Sequence, residues 1–187
     1  MHSSLNTLTL AHQFVEAKIK KGDTVIDATC GKGRDTLFLS TLVGAEGRVL
    51  AFDIQETAVN LTKALLAENG RQNVDVILDS HENMDKYVKN CSVDGIMFNF
   101  GWLPGGDHDI FSTGDTSVKA IGKGLELLKP GGIMSLCIYY GRNNGYAERD
   151  KIFEYIKTID QEQYTVITAE FSNRRGEPPI PVFIIKD

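Results

Sequence analysis

Apolar and polar positions along this chain switch between a helical and a strand-like period, and the switches mark its elements. Leu8, Ala11, Val15 and Ile19 recur at helical spacing ahead of Gly22, which predicts a helix closed by that glycine. Thr24 to Ala28 is a short apolar strand, followed by a glycine turn and a helix beginning near Asp35. Arg48 to Asp53 reads as a second strand, Glu56 to Asn69 as a helix stopped by Gly70, and Val74 to Leu78 as a third strand. Asp94 to Phe100 is the fourth. Thr116 caps a helix reaching Leu128, which Pro130-Gly131-Gly132 ends ahead of a fifth strand from Ile133 to Tyr139. A charged helix covers Tyr146 to Ile159, and Tyr164 to Phe171 and Val182 to Lys186 are the last two strands.

Strands separated by helices imply a mostly parallel sheet covered on both faces. The segment from Ser172 to Pro181 is too short to hold a crossover helix, so the last two strands form an antiparallel hairpin. The expected fold is therefore α/β and Rossmann-like, with helices on both faces of a seven-stranded, mostly parallel sheet that ends in a C-terminal antiparallel hairpin. Class I methyltransferases have this arrangement. No repeat, low-complexity segment or linker interrupts it, so residues 1–187 are expected to form a single domain.

Composition narrows the class further. With 42% hydrophobic and 24% charged residues the chain belongs among folded proteins. No apolar run is long enough to cross a bilayer, and Met1 to Leu10 lacks the pattern of a signal peptide, so a cytoplasmic protein free of membranes is expected. Cys30, Cys91 and Cys137 are odd in number and scattered, which excludes a disulfide framework or a zinc cluster; no metal is expected. A formal net charge of −5 excludes a surface that is basic throughout, but leaves room for a local basic patch that binds nucleic acid.

The most informative stretch runs from Val25 through Asp27-Ala28-Thr29-Cys30-Gly31-Lys32-Gly33-Arg34-Asp35 to Thr36. Apolar residues lead out of a strand, and Gly31 and Gly33 let backbone approach a ligand before the next helix. A dinucleotide site would have a third glycine where Thr36 stands, and Asp27 at the strand end would repel a pyrophosphate. A carboxylate there can instead accept from the ammonium of a methionine moiety, which favours S-adenosylmethionine over a nicotinamide cofactor. Asp53 ends the second strand, where it can accept both ribose hydroxyls, and Gln55 is within reach of the same sugar or the adenine edge. Asp79-Ser80-His81 follows the third strand, where such folds bond the adenine amino group.

The fourth strand ends in Phe98-Asn99-Phe100-Gly101-Trp102 and runs on through Leu103-Pro104-Gly105-Gly106 to Asp107. The Asn99 side chain can accept from an amino nitrogen and aim its lone pair at a methyl group. One of Phe98 and Phe100 is expected in the core and the other beside a flat base. Of Tyr139 and Tyr140, one is expected in the core, and Tyr140 is the candidate for carrying a proton away. Thr29, in the first loop, completes the set of candidate cofactor contacts.

Four motifs together are similar to those of a family of small bacterial enzymes. They are the Asp27 to Thr36 loop, the Asn99 to Asp107 segment, Tyr139-Tyr140-Gly141, and the closing stretch from Asn173 to Pro179. The family carried the label of rRNA methylases and is now understood as tRNA wobble-uridine methyltransferases. The resemblance covers essentially the whole chain. It implies N-methylation of 5-aminomethyl-2-thiouridine, S-adenosylmethionine as cofactor, the anticodon region of tRNA as partner, and a homodimer as one allowed assembly. Where the family often has Asn and His, this chain has Lys32 and Arg34, and Arg142 replaces the His that follows Tyr-Tyr-Gly. Arg142, Arg174 and Arg175 are the expected basic surface for RNA.

Overall fold

The structure, a computed structural model, describes residues 5–101, 114–140 and 145–187. Five helices and seven strands alternate: α1 Thr7–Glu16, β1 Thr24–Asp27, α2 Arg34–Val43, β2 Arg48–Asp53, α3 Glu56–Glu68, β3 Val74–Leu78, β4 Val93–Phe100, α4 Gly114–Leu127, β5 Leu128–Ile138, α5 Gly145–Ile156, β6 Tyr164–Thr168 and β7 Ile180–Lys186 among the described residues. A 3-10 helix, His81–Lys86, sits between β3 and β4.

The sheet has the order β3-β2-β1-β4-β5-β7-β6. Its first five strands are mutually parallel, while β7 runs antiparallel to both β5 and β6. This is the predicted mixed sheet with its terminal hairpin. The hairpin is threaded so that its second strand, not its first, lies beside β5. Ile180 pairs with Ile138, which brings the loop between β6 and β7 to the carboxyl edge of the parallel strands.

Alternation along each strand divides the core between the two faces of the sheet. Ile26, Leu50, Ile96, Phe98, Leu136 and Ile184 pack with α4, α5 and Met84 of the 3-10 helix. Val25, Val49, Met97, Ile133, Cys137 and Phe183 pack with α1 and α2. Most of these side chains lose all contact with water, and each contributes roughly 1.5–3 kcal/mol by that burial.

Several boundaries depart from the sequence expectation. Thr116 lies inside α4 instead of capping it, α5 and β6 each end three residues early, at Ile156 and Thr168, and β7 begins two residues early, at Ile180. Two further differences bear on the packing. The helical turn of α1 stops at Glu16, yet Ile19 is still buried from the following turn, so its apolar spacing outlasts the helix. Strand β5 begins at Leu128, paired with Val93, ahead of the Pro130-Gly131-Gly132 break. Those three residues are accommodated as a register shift between Val93 and Gly95 instead of ending the strand.

Candidate active site

Between β1 and β4 the strand order reverses direction, and a crevice opens where the carboxyl ends of these strands diverge. A cavity of about 630 Å³ fills it.

The loop after β1 forms one wall. Thr29, Cys30 and Gly31 line the cavity, and the Gly31 amide donates to Asp53 Oδ2 at 3.0 Å, which locks the loop to the end of β2. Gly31 and Gly33 adopt φ of 51° and 78°, a left-handed backbone that residues with a Cβ rarely hold. Gly33 packs behind the surface: a Cβ there would stand 3.0 Å from the Thr62 Cα of α3. Asp27 is also behind it. The side chain is fully buried, takes the Thr36 hydroxyl at 2.6 Å and the Thr29 amide at 3.2 Å, and does not line the cavity. Its carboxylate thus ties β1 to the first turn of α2. Burial, reinforced by the negative charge of Asp35, pushes its pKa up to about 7.

At the end of β2, Asp53 Oδ1 accepts from the Gln55 amide at 2.9 Å. Both carboxylate oxygens keep further lone pairs, because each accepts one backbone N–H and an ionised carboxylate has about four acceptor sites. Gln55 and Ile54 line the cavity beside it, and Ile54 is 54% exposed, an apolar surface held open at the site. After β3, Asp79 is fixed by Asn83, the Ser80 amide and the Tyr87 hydroxyl. The bonds from Asn83 and Tyr87 hold its carboxyl below the usual range. Ser80 caps the 3-10 helix, and the His81 ring stands edge-on to Phe98 and Phe100 at 5.9 and 6.1 Å. Burial lowers the His81 pKa, so its imidazole is neutral near pH 7.

The opposite end of the cavity is built by β4 and β5. Asn99 is held by a bond from its backbone amide to Thr29 Oγ1 at 2.8 Å, and its side-chain Nδ2 donates to Asp35 Oδ2 at 2.7 Å. Phe98 and Phe100 are both in the core, stacked with centroids 4.9 Å apart. Residues two apart on a strand share a face, so both rings are buried there, yet Phe100 also lines the cavity and Phe98 does not. Tyr139, not Tyr140, lines the cavity, and burial pushes its phenol up to about 12, so it stays protonated. The Tyr140 ring instead lies under the Arg149 guanidinium at 4.9 Å. Trp102 to Asp107, Gly141 and Arg142 lie outside the described residues.

Of the residues singled out from sequence, Thr29, Gly31, Asp53, Gln55, Ser80, His81 and Asn99 share the cavity wall, while Asp27, Gly33 and Tyr140 do not reach it. Asp79, at the start of the segment expected near the adenine, also lines it, whereas sequence reasoning passed over Asp35, Ile54 and Tyr139 as lining residues. Asp35 carried a signal, since an acid in the first turn of the helix after the glycine loop faces the same edge as the loop itself. Among the described residues, no three His, Cys, Asp or Glu side chains are grouped to hold a metal ion, and no helix is long and apolar enough to cross a membrane.

This wall fits S-adenosylmethionine. Free carboxylate lone pairs at β2 suit a ribose, an exposed aliphatic surface and a capped turn suit a purine, and the glycine loop admits backbone close to the amino-acid portion. A sheet of this order with such a cavity at its reversal point defines a class I S-adenosylmethionine-dependent methyltransferase. The chain belongs to the family described as "Putative rRNA methylase", whose model matches residues 49–185. It is 35% identical to the chloroplastic tRNA (mnm(5)s(2)U34)-methyltransferase of Arabidopsis thaliana, a match covering 95% of this chain and 68% of that protein. The crystal structure of a "putative rRNA-methylase" from Clostridium thermocellum superposes with a TM-score of 0.96 at 44% identity, covering 99% of this chain and 100% of that one. A "putative methyltransferase" from Streptococcus mutans, solved in complex with SAH, gives 0.89 at 35% identity over 97% and 98% of the two chains.

Proposed function

We propose that this methyltransferase acts on tRNA, transferring a methyl group to the exocyclic nitrogen of 5-aminomethyl-(2-thio)uridine at the wobble position, in the cytoplasm. The observation that carries the reading is Asn99, whose amide is oriented by Asp35 at the end of the cavity beside Tyr139. A carboxylate only accepts, so the atom of Asn99 that faces it is the NH2 group. The side-chain oxygen is left to accept an N–H from an incoming amine. The name of the Arabidopsis relative supports the same substrate.

Bound S-adenosylmethionine supplies an activated methyl on a sulfonium. Asp53 and Gln55 hold the ribose in this reading, Ser80 and His81 the adenine edge, and Thr29 and Gly31 the amino-acid end. The protein's remaining task is to present the amine unprotonated. An amine that titrates like lysine costs about 4–5 kcal/mol to hold neutral at pH 7. Partial desolvation beside Tyr139 and Phe100 lowers that cost, and Asn99 directs the lone pair.

The test is methyl transfer to purified RNA, followed by nucleoside mass spectrometry. tRNA carrying an aminomethyl wobble uridine should gain one methyl on the exocyclic nitrogen, with ribosomal RNA unlabelled. Label in ribosomal RNA and none in tRNA would favour the activity in the family's description.

A further inference from the structure

We propose that Asp35, backed by His12, accepts the proton that the substrate amine loses before it attacks; this rests on the amine reading above. Three elements contribute one continuous chain of contacts. Asn99 of β4 donates Nδ2 to Asp35 Oδ2 at 2.7 Å, and Asp35 Oδ1 meets His12 Nε2 of α1 at 2.8 Å. The His12 ring is stacked on Phe38, with centroids 3.9 Å apart and planes 4° apart, so packing holds the imidazole in place. Asp35 and Asn99 both line the cavity, whereas His12 stands behind them with 26% of its side chain exposed. The chain therefore runs from the reacting end of the cavity towards solvent.

The neighbours of Asp35 leave it as the acceptor next to Asn99. Asp27, at the end of β1, is fully buried against Thr36 and Thr29 and does not reach the cavity. Cys137 and Tyr139, near the end of β5, are both kept protonated by burial, with pKa values pushed up to about 12. Lys32 and Arg34 of the glycine loop line the same cavity, but their cationic groups have no lone pair to offer. Asp35 retains unused acceptor sites after its bonds to Asn99 and His12.

In the step, one N–H bond of the substrate ammonium breaks, its electron pair stays on nitrogen, and the proton goes to the Asp35 carboxylate. His12 donates its Nε2 hydrogen to Asp35 Oδ1 and holds the carboxylate in place, and Asp35 gives the proton up to water once the methyl has moved. The nitrogen lone pair then forms the N–C bond while the C–S electron pair remains with sulfur.

The experiment compares single-turnover methylation of aminomethyl-uridine tRNA by the wild type and Asp35→Asn from pH 7 to 9.5, at saturating S-adenosylmethionine. A positioned base contributes about 100-fold or more, so the variant should be slower by that factor at pH 7. The deficit should narrow by close to tenfold per pH unit, because an amine titrating near 10.4 increasingly arrives already neutral. A deficit that is the same at every pH would mean that Asp35 only orients Asn99, and would overturn the proposal, as would equal rates. Calorimetry separates a further role: loss of S-adenosylmethionine affinity large enough to explain the rate would assign Asp35 to the cofactor instead. Should Asp35→Asn not fold, His12→Phe keeps a ring on Phe38 and carries the same test. It should show a smaller deficit, about tenfold, with the same narrowing, because Asp35 loses the donor that positions it, and a flat deficit again overturns the proposal. A wild type that methylates no amine at any pH would defeat the proposed function, a result distinct from any of these.

Discussion

A buried carboxylate beside a second acid is an expensive arrangement, and Asp27 is where this protein accepts it. Its side chain is fully buried, and the charge of Asp35 adds to the desolvation that lifts its pKa from 3.8 to about 7. The sign of the consequence follows from linkage. The folded state favours the protonated form, so the contribution of Asp27 to stability is fully present below pH 4 and is lost as pH rises through about 7. Asp27→Asn keeps the shape and cannot ionise. Its thermal midpoint relative to wild type should therefore rise between pH 4 and 7 and level off above that. For a chain of this size each kcal/mol is worth about 2–4 °C, so the difference is measurable by calorimetry. A constant difference across that range would mean that Asp27 titrates normally. Its bonds to Thr36 and Thr29 turn it away from the ligand contact that the sequence suggested. Its position at the end of β1 is visible in the residue pattern. That a hydroxyl nine residues on folds back over it is not.

At the scale of elements, the glycine loop is a joint between β1, α2 and α3. Gly33 caps α2 in a left-handed conformation, and any Cβ would press on the Thr62 backbone, which cannot swing aside as a side chain can. Strain from the positive φ adds to the steric conflict, so Gly33→Ala should cost about 2–3 kcal/mol and lower the thermal midpoint by several degrees. An unchanged midpoint would show that α3 yields. Most strands were legible because apolar residues in each are bounded by Gly, Pro or Asp. The 3-10 helix at His81–Lys86 was missed because six residues are too few to show a period. The fifth strand was started late because Pro130 and two glycines ordinarily stop an element, whereas here Leu128 had already paired with Val93. The cavity wall was half legible for a related reason. Residues at strand ends announce themselves, since the parallel topology sends them to one edge. The link of His12 to Asp35 and of Asp35 to Asn99 spans 23 and 64 residues, and only the packed fold brings those groups together.

For the molecule as a whole, an acidic protein must hold a polyanion at one place, and the topology says where. The loop between β6 and β7 opens at the carboxyl edge, because Ile180 pairs with Ile138 two residues before Tyr140. That loop is strapped to the start of α1: Thr7 Oγ1 donates to the Pro179 carbonyl at 2.5 Å, and Arg174 donates to the Leu5 carbonyl. Arg174 also lies over the Phe171 ring at 4.5 Å, so its guanidinium is committed within the protein. Both arginines are exposed, but Arg174 is engaged with Leu5 and Phe171, so Arg175 is the one of the pair with its whole head group to offer phosphate. The two should therefore behave differently. Arg175→Ala should weaken tRNA binding and reduce its salt dependence by about one counterion, while S-adenosylmethionine affinity stays at the wild-type value. Arg174→Ala should instead lower the thermal midpoint by releasing the loop from α1. Filter binding at several salt concentrations and a melting curve on each variant decide this. If Arg175→Ala leaves both the tRNA affinity and the salt slope at wild-type values, the loop is no part of the RNA surface, and the phosphate contacts lie elsewhere on the carboxyl edge.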